Sequence, residues 1–146
     1  MAARPQLLVA VTPMGYVHAR RALHHRFDLI SAFSMQQARI ALKAEGLAAI
    51  LCSIHFDDSR MFDLLREAQV VAPHIPFICC RILHSPLSGQ AMDALLTSAR
   101  LLGCRDFVDF NALQRNHDLD EADRRFCETV LELLAPPAEK RNASTG

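Results

Sequence analysis

A three-layer α/β fold, with a parallel five-stranded sheet between two layers of helices, is predicted by three observations. Short apolar runs alternate with amphipathic helical stretches five times in succession. The central runs are apolar on both faces, as strands covered by helices on both sides must be. Cap residues and glycines punctuate the joins between runs.

The elements follow in order. Residues 7–11 form the first strand. Thr12-Pro13 then supplies a cap residue and a proline at the first helical position, predicting a helix over 13–24. Residues 27–33 form a second, weaker run with Asp28 and Ser31 inside it, an edge-strand composition. Ser34 caps a helix over 35–45, which Gly46 stops. Residues 47–54 are a buried strand, and Asp57-Asp58-Ser59 offers caps for a helix reaching Val71. Pro73 and Pro76 bracket a break before the fourth run, 75–83. Ser85-Pro86 repeats the cap-and-proline signal. Leu87, Ala91, Leu95, Ala99 and Leu102 then recur at spacings of four and three along one helical face, and Gly103 ends it. Residues 104–110 form the fifth strand. The last helix spans 118–134, with Leu119, Ala122, Phe126, Val130 and Leu133 on one face, and Pro136-Pro137 stops it.

Right-handed crossovers leave few topologies for such a (βα)5 chain, and the flavodoxin-like order 2-1-3-4-5 is the expected one. Residues 1–135 read as a single domain and 136–146 as a disordered polar tail.

Composition narrows the function. Of 146 residues, 51% are hydrophobic and 22% charged, which fits an ordinary globular domain. Sixteen Lys+Arg balance sixteen Asp+Glu, which speaks against a highly basic nucleic-acid binder. No apolar run reaches membrane-spanning length. The first apolar stretch reads as a strand rather than a secretory signal. The five cysteines, Cys52, Cys79, Cys80, Cys104 and Cys127, contain no CxxC, and four lie in or beside apolar runs. They read as reduced core residues of a cytoplasmic protein rather than a disulfide framework.

The chain resembles a response-regulator receiver domain of the CheY-like family over residues 6–135. The stretch 34–80 carries the family's rhythm: a capped helix, Gly46, a buried strand, a polar loop, the Asp63-Leu64-Leu65-Arg66 helical segment, and Ile75-Pro76 before the fourth strand. Gly103-Cys104-Arg105-Asp106-Phe107-Val108 is similar to the family's Gly-Ala-Asp-Asp-Tyr-Leu lead into the fifth strand. The resemblance implies a phosphorylation site at the strand ends, yet every member departs from the pattern. The acidic, Mg²⁺-holding pair falls at Ala10, Val11 and Thr12. The phosphoacceptor aspartate falls at Cys52, or at Ser53 with a one-residue slip. The strand-four hydroxyl is Arg81, and the strand-five lysine is Phe110. Mg²⁺ needs oxygen ligands and phosphoryl transfer needs a nucleophile with charge stabilisation, none of which these residues supply. The expectation is a degenerate receiver without a metal, a cofactor or enzymatic activity.

Other constellations carry less. Open parallel sheets bind ligands at strand C-terminal ends. Thr12, Ser53, His55, Arg81 and His84 gather there in the predicted topology, with Cys52 and one of Cys79 or Cys80 near. Adjacent Cys79 and Cys80 face opposite sides of a strand, so they cannot share a metal site. Asp57 and Asp58 read as helix caps. Thr12-Pro13-Met14-Gly15 makes neither a GxGxxG nor a Walker loop. His18, Arg20, Arg21, His24, His25 and Arg26 form a basic cluster suited to an acidic protein partner. Only Phe27, which belongs to the second strand, interleaves it, so base stacking is unsupported.

Two readings of function follow. One is a non-phosphorylatable protein-interaction module in signal transduction. It binds a kinase, phosphotransfer or output protein, and forms a homodimer through the fourth helix, fifth strand and fifth helix, with Met92, Leu96, Arg100, Asp109 and Arg125 in the interface. The alternative is a small-molecule or redox sensor using the cleft around Cys52, His55, Arg81 and His84.

Overall fold

A computed structural model describes residues 4–135. The expected tail at 136–146 lies outside the described residues. The chain runs β1 (Gln6–Ala10), α1 (Pro13–Leu23), β2 (Asp28–Ala32), α2 (Met35–Ala41), β3 (Leu47–Ser53), α3 (Phe56–Ser59), α4 (Met61–Val71), β4 (Phe77–Arg81), α5 (Gly89–Leu101), β5 (Asp106–Asp109), α6 (Phe110–Asn116) and α7 (Leu119–Leu133). All strand pairings are parallel and the order is β2-β1-β3-β4-β5. This is the flavodoxin-like sheet the sequence predicts.

Alternation along each strand sends side chains to opposite faces and builds two cores. Leu8, Ala10, Ile50, Cys52 and Cys79 face one way and pack with Met35 and Ala38 of α2 and with Met61, Leu64, Leu65 and Ala68 of α4. Leu7, Val9, Leu51, Ile78 and Cys80 face the other way, against Ala19 and Leu23 of α1 and Ala122, Phe126 and Val130 of α7. Each fully buried Leu, Ile or Phe contributes about 1.5–3 kcal/mol over its exposed state.

Two caps, Thr12 and Ser34, sit where the sequence places them, and Asp118, read as the first residue of the last helix, proves to be its cap. The Thr12 hydroxyl accepts from Gly15 N at 3.0 Å, Ser34 Oγ from Gln37 N at 3.2 Å, and Asp118 from Glu121 N at 2.8 Å.

Four expectations are corrected. The second helix stops at Ala41, not residue 45, because the chain tightens into i→i+3 bonds, Lys43 N to Ile40 O and Ala44 N to Ala41 O, before Gly46 turns at φ 85°. Asp57 and Asp58 do not cap the helix after them. With Ser59 they form a left-handed turn (φ 43°, 54° and 66°), and Asp57 instead accepts from Met35 N, the first amide of α2, at 2.8 Å. The fourth helix begins at Gly89, capped by Ser88, whose Oγ accepts from Ala91 N at 3.1 Å. Ser85 is buried and bonds Leu87 N across a non-helical stretch that lays Leu87 along a pocket wall. The fifth strand ends at Asp109, not Phe110. Asp109 accepts from Ala112 N at 3.0 Å and starts α6, while Phe110 turns inward and stacks on Phe126 at 4.1 Å between ring centres.

Gly103 closes α5. Its φ of 108° and the bonds Cys104 N to Ala99 O and Gly103 N to Arg100 O make a Schellman cap. A Cβ there would stand 2.7 Å from the Gln69 side chain.

Candidate functional site at the strand ends

The C-terminal ends of β1, β3, β4 and β5 bring together the positions at which the receiver resemblance implies phosphorylation chemistry. At the end of β1, Val11 is fully buried and its N–H bonds Ala32 O. Thr12 commits its hydroxyl to the α1 cap. At the end of β3, Cys52 is fully buried and its thiol donates to Ser53 O at 3.6 Å, while Ser53 is 3% exposed. Burial pushes the Cys52 thiol well above its ordinary pKa, with the neighbouring Cys80 and Cys104 adding to the shift. A neutral thiol is a poor nucleophile, so Cys52 is not placed as the reactive cysteine of a sensor.

At the end of β4, Arg81 forms a two-pronged pair with Asp109. Nε donates to Oδ1 at 3.1 Å, and the terminal nitrogen donates to Oδ2. The β4–β5 register makes these residues direct partners. Asp109 therefore neutralises Arg81 and caps α6 at once. At the end of β5, the position that the resemblance gives to lysine holds Phe110, fully buried and stacked on Phe126. The nearby acid Asp57 is held by Met35 N and stands 3.8 Å from Arg60. Among the described residues, no three His, Cys, Asp or Glu side chains converge as a metal site.

Beside this edge lies a cavity of about 350 Å³ lined by Ile54, His55, Met61, Phe62, Leu87 and Leu95, among others. His55 Nε2 is buried without a hydrogen-bond partner. Of the three expected cleft residues, only His55 lines this cavity. Arg81 turns to Asp109, and His84 is exposed.

The expected interface residues fall as follows. Met92 and Leu96 are half-buried on α5. Arg100 is exposed and pairs with Asp106 at 3.2 Å. Arg125, on α7, pairs with Glu121 at 2.8 Å. In the basic cluster, Arg21 is bound by both oxygens of Asp123, at 2.7 and 3.0 Å, and His24 Nδ1 contacts Arg20 O at 2.9 Å. Arg20, His25 and Arg26 stay exposed.

Sequence reasoning missed three features. The Arg81–Asp109 pair was legible in the strand register once the topology was assumed. The unpartnered His55 and the contact between the Cys79 and Cys104 sulfurs depend on side-chain placement, which no spacing encodes.

No family model matches the sequence, and no curated protein matches it. Solved structures do match. A response regulator from Thermotoga maritima shares 15% identity and superposes with a TM-score of 0.67, over 92% of this chain and all of that one. A CheY-like receiver domain protein from Methanospirillum hungatei shares 14%, at 0.66, over 99% of this chain and all of that one. A response regulator from Burkholderia pseudomallei, solved with a phosphorylated aspartic acid and a calcium ion, shares 16%, at 0.64, over 97% of this chain and 73% of that one. Identities this low establish the fold, which is that of response-regulator receiver domains.

Proposed function

We propose that this chain is a receiver-fold interaction module that takes part in signal transduction without being phosphorylated and without catalysing a reaction. One observation carries the reading. At the strand ends, the positions of the acid pair, the acceptor aspartate, the hydroxyl and the lysine hold a buried valine, a buried thiol, a neutralised arginine and a stacked phenylalanine. A phosphoryl group there would meet neither a carboxylate nucleophile nor a free cation.

The test is incubation of the full chain with acetyl phosphate and Mg²⁺, followed by intact mass spectrometry, with beryllofluoride as a second probe. An unchanged mass and no beryllofluoride-dependent spectral change are expected. A stable phosphoryl adduct overturns the reading.

The partner surface in this proposal is the face of α5, β5 and α7. Met92 and Leu96 are half-buried there and Leu101 is 84% exposed. Arg100, Asp109 and Arg125 rim it, each already paired within its own chain, so they set register more than affinity. A symmetric dimer on this face would make it self-complementary. In sedimentation at micromolar concentration we expect a dimer that Leu96→Asp dissociates. A strict monomer, unaltered by that change, would leave a different signalling protein as the occupant.

The cavity beside His55 favours a second reading, a small apolar ligand at the strand edge. About 350 Å³ lies within the range of small-molecule sites. A fragment screen by thermal shift, repeated on Leu95→Trp to fill the space, separates the two readings.

A further inference from the structure

We propose that Cys79 and Cys104 are a redox-sensitive dithiol, a modification site at which a hydroperoxide closes an intramolecular disulfide between β4 and the turn leading into β5. This goes beyond the interaction role and does not depend on it.

The two sulfurs stand 3.0 Å apart, and the Cys104 sulfur is also 3.0 Å from Asp106 O. Disulfide length is about 2.05 Å, so closure needs a movement of roughly 1 Å. The backbone on both sides is fixed. Cys79 sits in the ladder opposite Cys52 and Phe107, and Cys104 is held by its bond to Ala99 O and by Arg105 N to Phe77 O at 2.7 Å. The Gly103 cap delivers Cys104 to this place. No other two thiols among the described residues are hydrogen-bonded to each other. Cys52 bonds only a carbonyl, and Cys80 lies on the opposite face of the sheet.

The two thiols are unequal. The contact between the two sulfurs holds Cys104 below its ordinary pKa, while the same contact and burial push Cys79 up. Cys104 is also the more accessible, at 7% against 0%. Cys104 therefore attacks and Cys79 resolves.

In the first step the Cys104 thiolate attacks the peroxide. The O–O bond breaks, an S–O bond forms, and the alkoxide or hydroxide leaves and takes up a proton, giving Cys104 sulfenic acid. In the second step the Cys79 sulfur attacks the Cys104 sulfur. The S–S bond forms, the S–O bond breaks, and hydroxide leaves with the Cys79 proton as water. Two thiols are oxidised by two electrons and one hydroperoxide is reduced. The closed loop contains the whole of α5.

The experiment uses the full chain, reduced and desalted, then exposed to equimolar hydrogen peroxide, blocked with N-ethylmaleimide in urea and digested with trypsin without reductant. The expected product joins peptide 67–81, carrying one N-ethylmaleimide on Cys80, to peptide 101–105, about 2 Da lighter than the sum of that adduct and the second peptide. Fragmentation of that product should place the bridge on Cys79, and Cys80→Ser should keep it. Recovery of all five thiols as maleimide adducts, oxidation of Cys104 to the sulfinic acid without a cross-link, or a bridge mapped to Cys80 overturns the proposal. Cys79→Ser should lose the cross-link, and the fragmentation of the native product decides the matter if that variant does not fold.

Discussion

Helices α5 and α7 lie on opposite faces of one sheet and carry similar apolar stripes, yet they are anchored very differently. Over 15 residues α7 buries Ala122, Phe126, Cys127, Val130 and Leu133. Over 13 residues α5 buries Ala99 alone, with Met92 and Leu95 only half-covered. The difference lies beneath the helices. Helix α7 packs with α1 over the centre of the sheet and receives Phe110 against Phe126. Helix α5 crosses between the last two strands, one of them four residues long. Helical periodicity tells which face turns inward, but the amount of sheet under that face is set by topology.

The sharpest way to break this contrast is to empty each anchor in turn. Phe126→Ala removes both the central α7 side chain and the partner of Phe110, and should cost about 3–5 kcal/mol in urea unfolding. A loss below about 1 kcal/mol would mean that α7 is no better anchored than α5. Leu95→Ala, at a half-covered site, should cost about 1 kcal/mol. Amides of α5 should also exchange with deuterium faster than those of α7, by local opening without global unfolding. Equal exchange rates would contradict the contrast.

The smallest effect concerns the first turn of α7. Hydrogen bonds from Arg124 and Arg125 lower the Glu121 carboxyl to about 2 from an ordinary 4.5. Because the folded value is the lower one, the unfolded chain takes the proton first as pH falls. The contribution of Glu121 is thus complete above about 4.5 and is lost as pH falls towards about 2. The group is part-exposed and screened by salt, so the effect on stability is slight. A carboxyl titration by NMR should show the low midpoint, and one near 4.5 would remove this difference between the helices.

The strand order was legible because strands buried on both faces are written as unbroken apolar runs, and right-handed crossovers then leave one common arrangement. Asp109 and Phe110 show where legibility ends. An apolar run that includes Phe110 reads as strand, but Asp109 spends its carboxylate on Ala112 N, and Phe126, distant in sequence, draws the ring inward. Asp57 teaches the same lesson. A cap residue beside a helix is read as belonging to that helix, whereas its real donor, Met35 N, is 22 residues earlier. At the strand ends, the departure from the receiver pattern at Val11, Cys52, Arg81 and Phe110 could be read from residue identities alone. The way the gap is filled, by an ion pair and a ring stack, required side chains in place.

The short outer strand β5 bears on how copies of this chain can meet. It offers a free edge of only four residues, with an aspartate at each end, Asp106 tied to Arg100 and Asp109 tied to Arg81. A foreign strand seeking to extend the sheet would find few backbone groups to pair with, and carboxylates at both limits of the run. Brevity and charge on a rim strand are the usual protection against runaway edge-to-edge aggregation. Any contact between copies at this side would therefore run through side chains of the helical faces, and the sheet stops at its fifth strand.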